Sequence, residues 1–188
     1  GWNAVREKRR TQAIALGIIP ADVGMVGMAT TGDWHALDAE RQRYEAKRMA
    51  VYAGMVEAMD HHIGRLVAFL KSRDQFENTL FIFTSDNGAE GAGSADPDNP
   101  IMQRQLSTLN YKSDYDTLGL KGSYNTISPS FASAAASPLS LFKFYAAEGG
   151  MRVPMIVAGP GVQGVGDVNH AFSFVTDIAP TLLTLAGL

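Results

Sequence analysis

Thr79-Leu80-Phe81-Ile82-Phe83-Thr84-Ser85-Asp86-Asn87-Gly88 joins an unbroken apolar run to a polar tetrapeptide. The run is short and rich in β-forming residues, and nothing in it alternates with polar side chains. That pattern suits a strand buried on both faces of a parallel sheet. The tetrapeptide then stands at the carboxyl end of the strand, where open α/β sheets bind ligands. A carboxylate beside an amide offers two hard oxygen donors, as calcium or magnesium requires. Gly88 lets the chain turn sharply enough for both side chains to reach one site. Taken alone, the tetrapeptide is better read as an ordinary turn, because Asp, Asn and Gly all favour turns.

Upstream, Phe76-Glu77-Asn78 is a short turn, and before it the periodicity predicts a helix to about Ser72. Asp38 is its expected N-cap and Glu40 suits its first turn. Tyr52, Met55, Val56, Met59, Ile63, Leu66, Val67 and Leu70 recur at steps of three and four, a stripe for a core. Arg48, Glu57 and Arg65 are assigned to the wet side. Helix, turn and strand together make half of a βαβ unit. Residues 1–17 are basic and rich in Ala, predicting a surface helix that ends at Ile18-Ile19-Pro20, and residues 20–37 are irregular.

Downstream, residues 88–141 are rich in Gly, Ser, Ala, Asn and Pro and show little periodicity. A stretch of that length inside a domain is expected to be a functional loop. Met155-Ile156-Val157-Ala158 predicts a second strand. Asp177 is expected to cap a last helix from Ile178 to Ala186, with Pro180 in its first turn and Gly187 as its stop.

The 188 residues suffice for one domain with a core. Sixteen Lys and Arg against nineteen Asp and Glu give a net charge of −3, which leaves no electrostatic footprint for nucleic acid or an anionic membrane. A negatively charged substrate must then be held by a local site. No apolar run is long enough to span a bilayer. Cysteine is absent, which removes disulfides and thiolate zinc sites. The composition leaves periplasm and cytoplasm equally open.

A second motif lies between the loop and the second strand: Lys143, then Glu148-Gly149-Gly150-Met151-Arg152-Val153-Pro154. A lysine is a point-charge donor for an oxyanion, and the glycine pair permits close backbone approach. By itself this too reads as a solvated lysine before a glycine turn. The ordered set is more specific. Strand, Ser85-Asp86-Asn87-Gly88-Ala89-Glu90-Gly91, loop, Lys143, Glu148-Gly149-Gly150, strand, then Asp177-Ile178-Ala179-Pro180-Thr181-Leu182-Leu183 resembles the sulfatase family, above all the bacterial arylsulfatases. Trp34-His35-Ala36-Leu37, the stretch from Arg43 to Asp60, and Ile63-Gly64-Arg65-Leu66 add to the likeness. It runs from Gly1 to Leu188 and is weakest between Gly93 and Ser140.

The resemblance implies an alkaline-phosphatase-like α/β fold, a three-layer sandwich, with residues 1–188 as the carboxy-terminal part of the catalytic domain. It implies that Asp86 and Asn87 ligate calcium and that Lys143 contacts the sulfate. The implied reaction is hydrolysis of a small-molecule sulfate ester, in which a hydrated formylglycine attacks sulfur. The family forms that nucleophile within a Cys/Ser-x-Pro-x-Arg motif. No such motif occurs here, since no proline has a serine two residues before it. The motif is expected upstream of Gly1, and this segment alone is expected to be inactive. Two rivals stand beside this reading. One is a phosphodiesterase or phosphonate monoester hydrolase of the same superfamily; the other is a non-catalytic binding or structural module.

Other motifs are set aside. His61 and His62 are adjacent on a helix and cannot face one ligand. Gly159-Pro160-Gly161-Val162-Gln163-Gly164 matches a dinucleotide fingerprint in spelling, but no helix pattern follows it, so it reads as a turn. Lys121, His35 and His170 read as ordinary surface and loop residues.

Overall fold

The computed structural model describes residues 1–27, 34–91 and 99–188. The irregular readings for 28–33 and 92–98 lie outside the described residues.

Helix α1 is Trp2–Ala15 and helix α2 is Ala39–Ser72. The predicted cap of α2 is present: Asp38 Oδ1 accepts from Arg41 N at 2.7 Å, satisfying one of the free first-turn donors. Strand β1 is Phe81–Thr84 and strand β2 is Met155–Ala158. Between them lie α3 (Pro100–Thr108), α4 (Pro129–Ala136) and the single turn α5 (Glu148–Met151). Helix α6 is Ile178–Leu185, followed by Gly187 at φ 76°.

The strands pair with each other, antiparallel, with Phe81 opposite Ala158 and Thr84 opposite Met155. Among the described residues β1 thus has an antiparallel neighbour, where its apolar run suggests a parallel sheet. The reason lies at the strand ends. Chain β1 runs into a junction where Gly88 N donates to Gly150 O at 2.8 Å, and β2 leaves that junction in the opposite direction. The two-face burial is corrected as well. Phe83, Met155, Ile156 and Val157 are exposed, because among the described residues no helical layer covers the ribbon.

The core sits elsewhere. Trp2, Ile127, Phe131, Ala132, Ala134 and Phe142 form it, with Trp34, Met49 and Ala89 packed against it. Trp34 stacks on Trp2 at 6.3 Å and meets Phe131 edge-on at 5.2 Å. The indole of Trp2 donates to Ser130 O at 2.7 Å, so its one polar atom is satisfied inside. Helix α1 is therefore more than a surface helix, since its first turn closes the core through Trp2 and Arg6. Arg6 donates to Ser137 Oγ at 2.9 Å and to Val26 O at 2.6 Å. The stretch read as a loop supplies two helices, each started by an N-cap and a proline. Asn99 Oδ1 accepts from Ile101 N at 2.9 Å, and Ser128 Oγ faces Phe131 N.

Helix α2 divides in two. Its second half leaves Met55, Val56, Met59, Ile63 and Leu66 exposed, so the periodic stripe is real but uncovered by the described residues. Its first half carries a further correction. Arg48 is 0% exposed and Glu45 1%. Arg48 pairs with Glu45 at 3.2 Å, Arg41 reaches the same carboxylate at 2.5 Å, and Arg48 Nε donates to Thr126 O at 2.7 Å. A charge three residues from its opposite lies on the same helix face, and here that face packs against residues 111–127. Tyr44 OH donates to Ser113 O at 2.6 Å and Lys47 Nζ to Tyr115 O at 2.5 Å. These bonds fix the segment that leads into α4 and so fix the core beneath the site.

Candidate functional site

The two motifs meet. After β1 the chain turns through Ser85, whose Oγ donates to Asn87 O at 2.7 Å. Gly88 then passes so close to α5 that a Cβ on it would lie 1.9 Å from Gly149 O. Only a residue without a side chain fits there. On the other side, a Cβ on Gly149 would lie 2.2 Å from Leu141 O, and one on Gly150 would lie 2.3 Å from Tyr145 O. Gly149 and Gly150 are buried. The glycines of both motifs thus serve one purpose, a backbone-to-backbone junction.

A second rung completes it. Lys143 N donates to Ala89 O at 2.9 Å. The neighbours of these two residues, Phe142 and Ala89 itself, rest on the core, and Gly91 faces the Phe142 ring so closely that a Cβ would lie 2.4 Å from it. The Lys143 side chain then reaches Glu90, with Nζ 2.8 Å from Oε2. Lys143 is 34% exposed and Glu90 33%, so the pair lies at the surface with its backbone anchored below. The hydrogen bond to Glu90, then the charge of Glu90, with Asp86 adding through space, hold the Lys143 ammonium above the usual lysine range. The Phe144 ring lies beside it, 5.3 Å from Nζ.

Asp86 is exposed and Asn87 half-buried. Asn87 Nδ2 donates to Gly88 O at 3.1 Å, which leaves its Oδ1 as an acceptor. One carboxylate and one amide oxygen at the same turn suit a hard cation but fall short of the six to eight oxygens calcium takes. Among the described residues no group of three or more His, Asp or Glu is close enough to hold a metal. Asp86 and Asn87 fit as part of a ligand set. Two hollows among the described residues lie elsewhere, one bordered by Ile18, Pro20, Arg152 and His170, the other by Lys71, Phe76 and Glu77.

All three residues singled out from the sequence therefore belong to one junction, Lys143 beside the turn that carries Asp86 and Asn87. Glu90 had no assigned role, although it stands inside the first motif; its signal was a carboxylate in a Gly-rich turn with no helix or cap to serve. The residues set aside stay apart. His61 and His62 stack edge-on at 5.5 Å on an exposed face, and His62 Nδ1 meets Arg65 Nη1 at 3.1 Å. Gly159 and Gly161 take φ of 132° and 81° in the turn after β2. No helix of the described residues is long and apolar enough to cross a membrane. Asp177 is the N-cap of α6 as predicted, but its side chain makes no cap bond: Asp177 Oδ2 accepts from Phe174 N at 2.8 Å instead. Its backbone is already helical at φ −79°, ψ −17°, so its side chain points back into the preceding turn.

Comparison with known proteins points to one family. The model of the sulfatase family matches residues 14–188. An arylsulfatase of Klebsiella aerogenes is 35% identical over 190 residues, covering all of this chain and 40% of that protein. A sulfatase of Schizosaccharomyces pombe is 35% identical over 189 residues, covering 99% of this chain and 34% of that protein. An N-acetylgalactosamine-6-sulfatase of Mus musculus is 27% identical over 150 residues, covering 80% and 22%. The chain thus spans 40% or less of the length of these relatives.

Proposed function

The chain belongs to the sulfatase family, and from that premise we infer that it forms one wall of a sulfate-ester hydrolase site of the arylsulfatase type. Lys143 is the cation that faces the sulfate group, and Asp86 and Asn87 are two of the ligands of a calcium ion. Family membership implies the alkaline-phosphatase-like α/β fold, and residues 1–188 are read as a partial domain of its three-layer form.

One observation supports this most. The bonds Gly88 N to Gly150 O and Lys143 N to Ala89 O tie two motifs more than fifty residues apart into one junction. A solvated lysine and an ordinary turn have no reason to be stitched together through three glycines that admit no side chain. A site that must hold a cation ligand pair and an ammonium at fixed separation does.

The division of labour follows from the residue types. Lys143 supplies positive charge, and the contact with Glu90 and the field of Asp86 favour its ammonium form. Such a donor stabilises charge on the bound sulfate or developing in the transition state. Asp86 and the Oδ1 of Asn87 hold the metal, and calcium when bound polarises the sulfate oxygens as a Lewis acid. The substrate is a small-molecule sulfate ester. No residue of this chain sits in a Cys/Ser-x-Pro-x-Arg motif, so the nucleophile is assigned to sequence outside these residues.

The test is turnover by the complete protein that carries this chain. A chromogenic aryl sulfate is compared with the matching aryl phosphate diester, with calcium present. Faster turnover of the sulfate supports the reading. Turnover of the diester alone replaces it with phosphodiester hydrolysis, and turnover of neither supports a binding module.

A further inference from the structure

We propose that Glu90 is the positioning residue for Lys143, holding one corner of its ammonium so that the other N–H donors face a sulfate oxyanion. The proposal rests on the reading of Lys143 as the sulfate-binding cation.

A lysine stem is flexible, and its ammonium is a compact charge with three rotatable donors. Left in solvent it would have to be ordered at each binding event, which weakens the interaction it makes in the transition state. Lys143 is not left so. Its Nζ lies 2.8 Å from Glu90 Oε2, and that bond uses one donor of the three. Both partners hang from the same rung of backbone, Lys143 N to Ala89 O. The carboxylate therefore cannot drift relative to the lysine it holds.

The remaining charges point the same way. Glu148 is engaged with Arg152 at 3.5 Å, and Asp86 acts on Lys143 only through space. Glu90 is the carboxylate in contact. Its second oxygen, Oε1, is buried and has no hydrogen-bond partner among the described residues. A buried acceptor without a partner is costly, and a carboxylate kept at that cost calls for a function. Bridging to Lys143 is the one its geometry serves. A negative group beside an anion site also repels the substrate, so its removal should not weaken ground-state binding. The benefit lies in orientation and falls on turnover.

The experiment is a double-mutant cycle in the complete protein that carries these residues, assayed with a chromogenic aryl sulfate. Glu90→Gln keeps the side-chain shape and loses the charge. Expected is a fall in kcat of about tenfold with KM changed less than about threefold, the signature of misplacement rather than lost binding. In the Lys143→Ala background, Glu90→Gln should change nothing further. An equal loss in both backgrounds would mean that Glu90 only supports the loop, and the proposal falls. Wild-type kinetics for Glu90→Gln alongside an impaired Lys143→Ala overturns the proposal and leaves the reading of Lys143 standing. Wild-type kinetics for Lys143→Ala removes the reading and the proposal together.

Discussion

Gly88→Ala should separate the two motifs. The added methyl would lie 1.9 Å from Gly149 O and 2.9 Å from Gly150 Cα, both backbone atoms that cannot rotate away. Carbon–oxygen contacts settle at about 3.3–3.6 Å, so the turn after β1 must withdraw by about 1.5 Å. The bond from Gly88 N to Gly150 O, now 2.8 Å, does not survive that movement. Stranding a buried carbonyl costs about 1–3 kcal/mol, and overpacking at the junction adds roughly 1–3 kcal/mol. The stiffer unfolded chain returns about 0.4–1 kcal/mol. The net loss is about 2–5 kcal/mol, or roughly 4–20 °C in Tm for a chain of this size. Gly54→Ala is the control. It lies in the middle of α2 with nothing within 4 Å of the new methyl, and it should gain up to about 1 kcal/mol from helix propensity. Urea and thermal unfolding followed by circular dichroism report both. If Gly88→Ala unfolds within about 0.5 kcal/mol of the parent, the junction is not closed as described, and the argument from the glycines is wrong.

Arg48→Ala should destabilise by about 3–5 kcal/mol, because it leaves the buried Glu45 with Arg41 alone; a urea midpoint unchanged from the parent would show that Arg48 is not buried as observed. Asp86→Ala should weaken calcium binding by the complete protein in isothermal titration calorimetry, since affinity follows the number and charge of oxygen ligands; unchanged affinity removes Asp86 from the ligand set. Residues 1–188 expressed alone should show no aryl sulfatase turnover with calcium present, because no Cys/Ser-x-Pro-x-Arg motif occurs in them to supply the covalent nucleophile of the proposed reaction; turnover that persists in preparations stripped of host sulfatases would demand a nucleophile within this sequence.

Several elements were legible in the residues. Strand β2 has the predicted ends, Met155 and Ala158, and β1 keeps the predicted end at Thr84 but starts at Phe81, two residues into the run that begins at Thr79. Helix α2 was read from the Asp38 cap to Ser72. What failed was the location of the core. Helix α4, Pro-Ser-Phe-Ala-Ser-Ala-Ala-Ala, is uniformly small, so it has no alternation to announce a buried face, yet Phe131, Ala132 and Ala134 are central. Its start was available in Ser128-Pro129, as that of α3 was in Asn99-Pro100, since a capping residue before a proline marks a first turn. Composition alone concealed both. Charge alone places Arg48 in solvent, although Glu45 three residues earlier supplies the partner that makes burial tolerable. The antiparallel pairing could not be read at all, because it depends on the Gly88–Gly150 contact across a long separation. The junction between the two motifs was easier to read than the core. Gly88 follows the Asp86-Asn87 pair and Gly149-Gly150 follow Lys143, and their close backbone approach is a constraint written in the residue type.

The central claim is that Lys143 faces the sulfate group of the substrate, and steady-state kinetics of Lys143→Ala in the complete protein, with a chromogenic aryl sulfate and saturating calcium, tests it most directly. Removing one such preorganised charge donor should lower kcat/KM by about a hundredfold or more, and Lys143→Arg should recover only part of it, because a planar fork does not replace a compact ammonium. A Lys143→Ala enzyme with the kcat/KM of the parent would return Lys143 to the surface as a plain partner of Glu90 and contradict the account.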